Sequence, residues 1–339
     1  MREISLAAIE GAAKCVYDAA IRTPLVRFEL PAAKGVSPEI YLKLEALQPI
    51  GSFKIRGAWN AVRVLSPQTL AEGVWTVSAG NAAQGLAFAA RRAGAACSVM
   101  VMDTAPQTKL RAIERLGAVI VPATYDECWR TVEQHRSDRM HGHFVHPFDD
   151  DLFIAGNGTA GLEILADLPD VDAIIAPLGG GGLLAGIGSA ARALKPGVRI
   201  YAAEPETAAP LATSLKRGEA SYFENWTPSF VDGAGGRSVL PTMWPLLKTL
   251  VDDSIVVSLD EVRDAMQRTA ERVHVIAEGA AACAVAAALS GRVPGQKIVA
   301  VVSGGNIDLA RFAALVDACP AGQDVLPSTN DTRRSTKSA

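Results

Sequence analysis

Four short stretches carry residue types that could do chemistry together. The first is Gly51-Ser52-Phe53-Lys54-Ile55-Arg56-Gly57-Ala58. Ala58, Trp59, Ala61, Val62, Val64 and Leu65 follow as an apolar-rich helical segment, with Ser52 where an N-cap would accept a bond from an early backbone N–H. Lys54 is then a first-turn residue. There it meets the positive end of the helix dipole, which disfavours the ammonium form and lowers the pKa, as an imine-forming lysine requires. A solvated lysine fits the same spacing, so its role depends on the other stretches.

The second stretch, Gly179-Gly180-Gly181-Gly182-Leu183, stands between an apolar run and a helical one. Four glycines cost conformational entropy and imply backbone amides close to a ligand; the helix start behind them favours an anion such as phosphate. The Gly-Lys-Ser/Thr of a P-loop is missing. Gly180, Gly182 and Ala185, with Glu204 on the next strand, do fit a dinucleotide fingerprint, so an NAD-binding oxidoreductase is a competing class. The third stretch is Ser78-Ala79-Gly80-Asn81-Ala82-Ala83-Gln84-Gly85, small residues at a helix start that suit a carboxylate, with Asn81 and Gln84 as side-chain donors. The fourth, Ser303-Gly304-Gly305-Asn306, ends a buried strand, where open α/β sheets place ligands.

The elements that position these residues alternate. Strands are expected at 39–44, 74–78, 97–102, 119–122, 171–177, 199–203, 254–257 and 297–302. Helices are expected at 5–20, 82–93, 106–116, 126–139, 158–168, 183–194, 260–272 and 280–288, with an irregular excursion over 205–250. Most strands are continuous apolar runs, so they are buried on both faces in parallel sheets. Two α/β units with a cleft between them follow. Residues 1–68 and 150–322 form a large discontinuous domain, 69–149 a small one carrying the third stretch, and 323–339 a loose polar tail.

The 339 residues are 49% hydrophobic and 20% charged, with net charge -3 and no basic run interleaved with aromatics. Nucleic acid and anionic membranes are not expected partners; small molecules are. The N-terminus lacks the apolar core of a secretory signal, and no apolar run spans a bilayer. Five scattered cysteines without a CxxC pair imply a reducing compartment, hence a cytoplasmic location. His141, His143 and His146 mimic a metal cluster, although their alternation fits a strand end.

Taken in order and at these separations, Ser-Phe-Lys-x-Arg-Gly-Ala, Ser-Ala-Gly-Asn, the tetraglycine loop and Ser-Gly-Gly-Asn resemble the serine/threonine dehydratases and serine racemases. These are fold-type II pyridoxal 5'-phosphate (PLP) enzymes of the tryptophan synthase β-like fold. The resemblance runs from Thr23-Pro24-Leu25 to Ile307-Asp308-Leu309. It implies two open parallel-sheet α/β domains with PLP in the cleft between them. Lys54 would bind PLP covalently and remove the substrate's Cα proton. Phe53 would lie against the cofactor, Asn81 would bond its 3'-oxygen, Gly179, Gly180, Gly181, Gly182 and Leu183 would cradle its phosphate, and Ser303 would face the pyridine nitrogen. Ser52, Ser78, Ala79, Gly80, Asn81 and Ala82 would hold the substrate. The implied reaction is α,β-elimination from a 3-hydroxy amino acid, serine or threonine by default, giving a 2-oxo acid and ammonia. The expected assembly is a homodimer.

Departures from the family pattern narrow this. The racemase branch has a second catalytic serine where this chain has Ala79, which weakens the racemase alternative. Ala82 replaces a histidine and leaves volume for a bulkier substrate such as 3-phenylserine. Arg130 stands where some relatives read a carboxylate, which would suit 3-hydroxyaspartate. Of the relatives' divalent-cation site only Glu204 and the Ala208 carbonyl remain, Pro210 replacing an aspartate, so no metal is expected. Glu278 would lie near the cofactor. The C-terminal regulatory domain of biosynthetic threonine dehydratases is not found after the catalytic unit, so feedback by isoleucine is not expected.

Overall fold

The computed structural model describes residues 2–29 and 38–318; Cys319 and the tail expected at 323–339 lie outside them. Ten strands are present among these residues: β1 (Leu25–Arg27), β2 (Glu39–Lys43), β3 (Val74–Val77), β4 (Cys97–Met102), β5 (Val119–Ala123), β6 (His143–Phe144), β7 (Ala173–Pro177), β8 (Arg199–Pro205), β9 (Asp253–Val257) and β10 (Lys297–Val301). They form two sheets. The larger has the order β1-β2-β10-β7-β8-β9, parallel except for β1, which pairs antiparallel with β2 at the edge. The smaller, β5-β4-β3-β6, is wholly parallel. β3 and β7 are buried at every residue, as strands covered on both faces must be.

Helices α1 (Leu6–Ala13), α2 (Lys54–Val62), α3 (Pro67–Glu72), α4 (Asn81–Ala93), α5 (Gln107–Arg115), α6 (Tyr125–Gln134), α7 (Asp151–Asp167), α8 (Gly182–Leu194), α9 (Pro210–Arg217), α10 (Trp244–Leu250), α11 (Leu259–Val273), α12 (Gly279–Leu289) and α13 (Leu309–Asp317) complete the described chain. α2 packs on α4, which flanks the small sheet, and on α7, which belongs with the large one. The helix that begins at Lys54 therefore touches both halves.

Two glycines make that contact possible. A Cβ on Gly57 would fall 2.3 Å from the Phe153 ring, and one on Gly156 would fall 2.4 Å from the Arg56 carbonyl oxygen, so α2 and α7 can cross this closely only without side chains.

Some boundaries differ from the sequence pattern. The helix expected at 158–168 starts at Asp151, because Asp150 accepts from the Phe153 N–H (2.8 Å) and the turn that follows is buried. Its Gly156-Asn157-Gly158 hides the periodicity. The excursion over 205–250 contains α9 and α10, and the first helix ends at Ala13, with a short 3-10 turn at Val16–Asp18.

Candidate active site

A buried charge network fixes the start of α2. Arg56 donates in a bidentate pair to Glu45 (both 2.8 Å) and through Nη1 and Nη2 to Glu163 (2.6 and 2.9 Å). Lys43 pairs with Glu163 and donates to the Thr23 carbonyl (2.6 Å), and Thr23 donates to Glu45 (2.6 Å). Two cations thus meet two carboxylates out of contact with water. Burial pushes the Glu45 carboxyl up, but the charge and hydrogen bonds of Arg56 outweigh it and hold the pKa below its ordinary value. Arg56 lies two residues beyond Lys54, so the network anchors the lysine's backbone.

Lys54 is the first residue of α2. Its amine donates to the Pro147 carbonyl (2.6 Å) and lies 5.2 Å from the Phe53 ring centroid and 5.3 Å from that of Phe153. Packed protein around the amine lowers its pKa to about 7, while the residue as a whole is only partly buried. Burial, rather than the helix dipole, is the cause.

Ser52 does not cap α2. Phe53 holds that position with helical backbone angles and no side-chain cap, and Ser52 instead forms an isolated bridge with Gly304. Its hydroxyl is buried without a hydrogen-bond partner, a free polar group beside the lysine.

Asn81 sits in a chain of hydrogen bonds joining three of the turns. Its Nδ2 donates to Glu278 Oε1 (2.7 Å), its Oδ1 accepts from Asn306 Nδ2 (2.7 Å), and Asn306 also donates to the Ile50 carbonyl (2.8 Å). Burial pushes the Glu278 carboxyl up to about 7, and the Asn81 hydrogen bond only partly offsets it. Gly304 belongs to the same cluster: a Cβ there would fall 2.7 Å from Glu278 Oε1 and 3.1 Å from Ser52 Cβ. Ser303, buried at the end of β10, accepts from the Phe53 N–H through its carbonyl (3.0 Å), and its hydroxyl bonds no described residue. Ser78 accepts from the Gly80 N–H (3.1 Å), and α4 begins at Asn81 with no side-chain cap, leaving its first amides for an anion. Ala79 is partly buried beside this turn and Ala82 is buried in it.

The tetraglycine loop ends β7 and opens α8, whose N-cap, Gly181, has φ +92 and no capping side chain. The backbone N–H groups of Gly180, Gly181, Gly182 and Leu183 donate to no described residue. A Cβ on Gly180 would fall 2.1 Å from the Phe148 ring, and one on Gly179 2.5 Å from the Gly233 carbonyl oxygen. Uncapped amides, close walls and a left-handed N-cap fit a phosphate. With the lysine, the Asn81 turn and the orphaned Ser52 hydroxyl, the residues present fit PLP.

The supports of Pro147 and Phe148 are not foreseen from spacing. His146 Nδ1 accepts from the backbone of Asp149 (2.7 Å) and Phe148 (3.3 Å), which leaves Nε2–H to donate to the Val132 carbonyl (3.2 Å). Burial, reinforced by nearby His135, lowers the His146 pKa to about 3, so the ring is neutral and shapes the turn. His141 and His143 do not join it in a metal cluster. Among the described residues the ligating groups that do converge are His135, His146 and Asp149, of which His146 is engaged with the backbone of its turn and Asp149 with Arg2 and Thr242.

Glu204 is likewise occupied. Its two oxygens accept from the amides of Leu211 and Ala212 (both 2.8 Å) at the start of α9, and from the Ser254 hydroxyl (2.5 Å). Burial raises its pKa to about 7, with these bonds opposing. Ala208 is buried just before α9, where the sequence has Pro210 and not an aspartate, and Glu204's hydrogen bonds also occupy the oxygens a ribose would use. Arg130 lies exposed on α6, with no ion pair among the described residues.

A family model described as pyridoxal-phosphate dependent enzyme matches residues 16–304. The L-threonine ammonia-lyase of Thermotoga maritima is 38% identical over 317 residues, 93% of this chain and 78% of that protein. The catabolic L-threonine dehydratase of Staphylococcus aureus strain N315 is 36% identical over 322 residues, 93% and 92% of the two chains. Maize serine racemase superposes with a TM-score of 0.83 at 30% identity, over 92% of this chain and 97% of that one. These matches displace the dinucleotide reading of Gly180, Gly182 and Ala185. The chain belongs to the pyridoxal-phosphate dependent enzymes of fold-type II, and its cofactor is pyridoxal 5'-phosphate.

Proposed function

We propose that this protein is a dehydratase that removes the hydroxyl of a 3-hydroxy amino acid, of the serine or threonine type, to give a 2-oxo acid and ammonia. The observation that carries the reading is the Lys54 amine, its pKa lowered to about 7, set among the Ser52, Asn81, tetraglycine and Ser303 turns. When bound, the cofactor would take up the electron pair left as the Cα–H bond breaks. Lys54 would hold it and, with its Nζ freed by substrate, accept the Cα proton. A base titrating near neutrality suits that transfer.

The amides at the start of α4, with Ser52 and Ser78, would bind the substrate carboxylate and set the Cα–H bond toward Lys54. Gly179 to Leu183 would fix the phosphate through their amides, and Asn81, oriented by Glu278 and Asn306, would offer its second Nδ2 hydrogen to the 3'-oxygen. Ser303 would face the ring nitrogen with a hydroxyl, which does not hold that nitrogen protonated and so favours prompt elimination. The Cβ–O bond would break as the Lys54 ammonium, which holds the proton taken from Cα, gives it to the leaving hydroxyl, so that water departs and the free amine is restored. The released enamine then hydrolyses, water replacing nitrogen. At Ala79 no second base stands on the opposite face to reprotonate Cα, which favours elimination over racemisation.

A cytoplasmic homodimer acting on a free amino acid is the setting we propose; free, buried Cys97, Cys128 and Cys283 support a reducing compartment. With Glu204 capping α9, a chelator is expected to leave activity unchanged. The test follows ammonia, 2-oxo acid and D-amino acid from L-serine and L-threonine. Ammonia and 2-oxo acid should appear in equal amounts, and Lys54→Ala should lower the rate at least about a hundredfold. D-amino acid as the main product would replace the dehydratase with a racemase.

A further inference from the structure

Arg237 is half-buried, forms no ion pair with a described residue, and has a buried Nε without a hydrogen-bond acceptor. Its guanidinium carbon lies 4.0 Å from the Trp226 ring centroid and 4.6 Å from that of Tyr125. Both rings lie within cation–π distance of the guanidinium. With Nε buried, the Nη1 and Nη2 donors, which bond no described residue, are the ones left to a ligand.

The arginine is held against the site. It ends the segment 231–237, whose Gly233 carbonyl closes on Gly179 of the phosphate cradle. A Cβ on Gly233 would meet Ala280 at 3.0 Å and Glu278 Oε1 at 3.7 Å, and one on Gly236 would meet the Gly179 carbonyl at 3.8 Å. Trp226 is fixed by donating to the Gly235 carbonyl (3.0 Å). Tyr125 comes from the other half, where it opens α6 just after the carboxyl end of β5. The stack thus bridges the two sheets on the edge that carries the candidate active site, and Lys109 of α5 does the same by pairing with Asp232.

We propose that Arg237 reads a second anionic group on the substrate, so that the preferred 3-hydroxy amino acid carries a carboxylate on its β side. This rests on the dehydratase reading and names its substrate class. A partly desolvated guanidinium with free edge donors matches a carboxylate in a bidentate pair. An aryl substituent would have to displace the guanidinium from the two rings it covers. The cation that the resemblance implies at Arg130 is here assigned to Arg237.

The test is steady-state ammonia release by the holoenzyme with 3-hydroxyaspartate, threonine and 3-phenylserine, for the wild type, Arg237→Gln and Arg130→Ala. The quantity read is the ratio of kcat/KM for 3-hydroxyaspartate to that for threonine, which is insensitive to the fraction of folded enzyme. Arg237→Gln should lower the ratio about ten- to a hundredfold, the worth of a charge-assisted hydrogen-bond pair, and Arg130→Ala should not move it. In the wild type, L-aspartate should inhibit competitively at lower concentration than L-alanine, which needs no variant. An unmoved ratio with threonine still converted, or a preference for 3-phenylserine, overturns the anionic subsite and leaves the dehydratase standing. No ammonia from any substrate overturns both.

Discussion

At the scale of the residue, the proposed chemistry turns on an amine whose charged form is disfavoured by its surroundings. Burial lowers the Lys54 pKa from the ordinary lysine value to about 7, so near neutral pH a substantial share of the amine is uncharged and free to attack an aldehyde. The rate at which cofactor-free protein captures PLP should rise with pH to a plateau, with its midpoint near 7. A stopped-flow pH profile measures it, and a midpoint near 10 would mean that the amine is solvated. Lys54, Asn81, the tetraglycine run and Ser303 stand out in the sequence as candidates because each lies in a short turn whose composition is costly without a ligand. Ser52 stands out as a candidate too, but it is not the cap its type suggests. His146 and Arg237 are not legible as supports, because their roles come from Pro147 and Phe148 in one case and from rings at positions 125 and 226 in the other.

At the scale of the element, α2 is held by burying charge rather than by a cap. Replacing Arg56 with Met would leave Glu45 and Glu163 buried without their shared partner and should destabilise the protein by about 3–5 kcal/mol at neutral pH. The sign with pH is specific. In the wild type Glu45 is held below its ordinary pKa, so its contribution is present above the unfolded value and is lost as pH falls through the folded one. In the variant the unpaired carboxyl would titrate above its ordinary value, and the deficit should shrink on acidification. Urea unfolding of both proteins at pH 7 and pH 5 reads the difference; a deficit that grows at pH 5 would rule out this origin. The strands are legible because parallel strands are continuous apolar runs. α7 is less legible, since Gly156 and Gly158, which permit its close crossings, interrupt the periodicity that marks a helix.

At the scale of the molecule, the fold brings four turns that are far apart in sequence to one edge. Two turns, at Gly179 and Ser303, end strands of the large sheet, one at Ser78 ends β3 of the small sheet, and α2 carries Lys54 between them. Alternating strands and helices make two such sheets legible; their mutual placement comes from tertiary contacts such as Gly57 against Phe153, which no local pattern encodes. This convergence would make Lys54 the residue that carries the cofactor. Reducing the holoprotein with borohydride and mapping its peptides tests it directly. The phosphopyridoxyl group should be found on Lys54, close to one per chain, with dehydratase activity lost in step. Its appearance on another lysine, such as Lys43, would contradict the account.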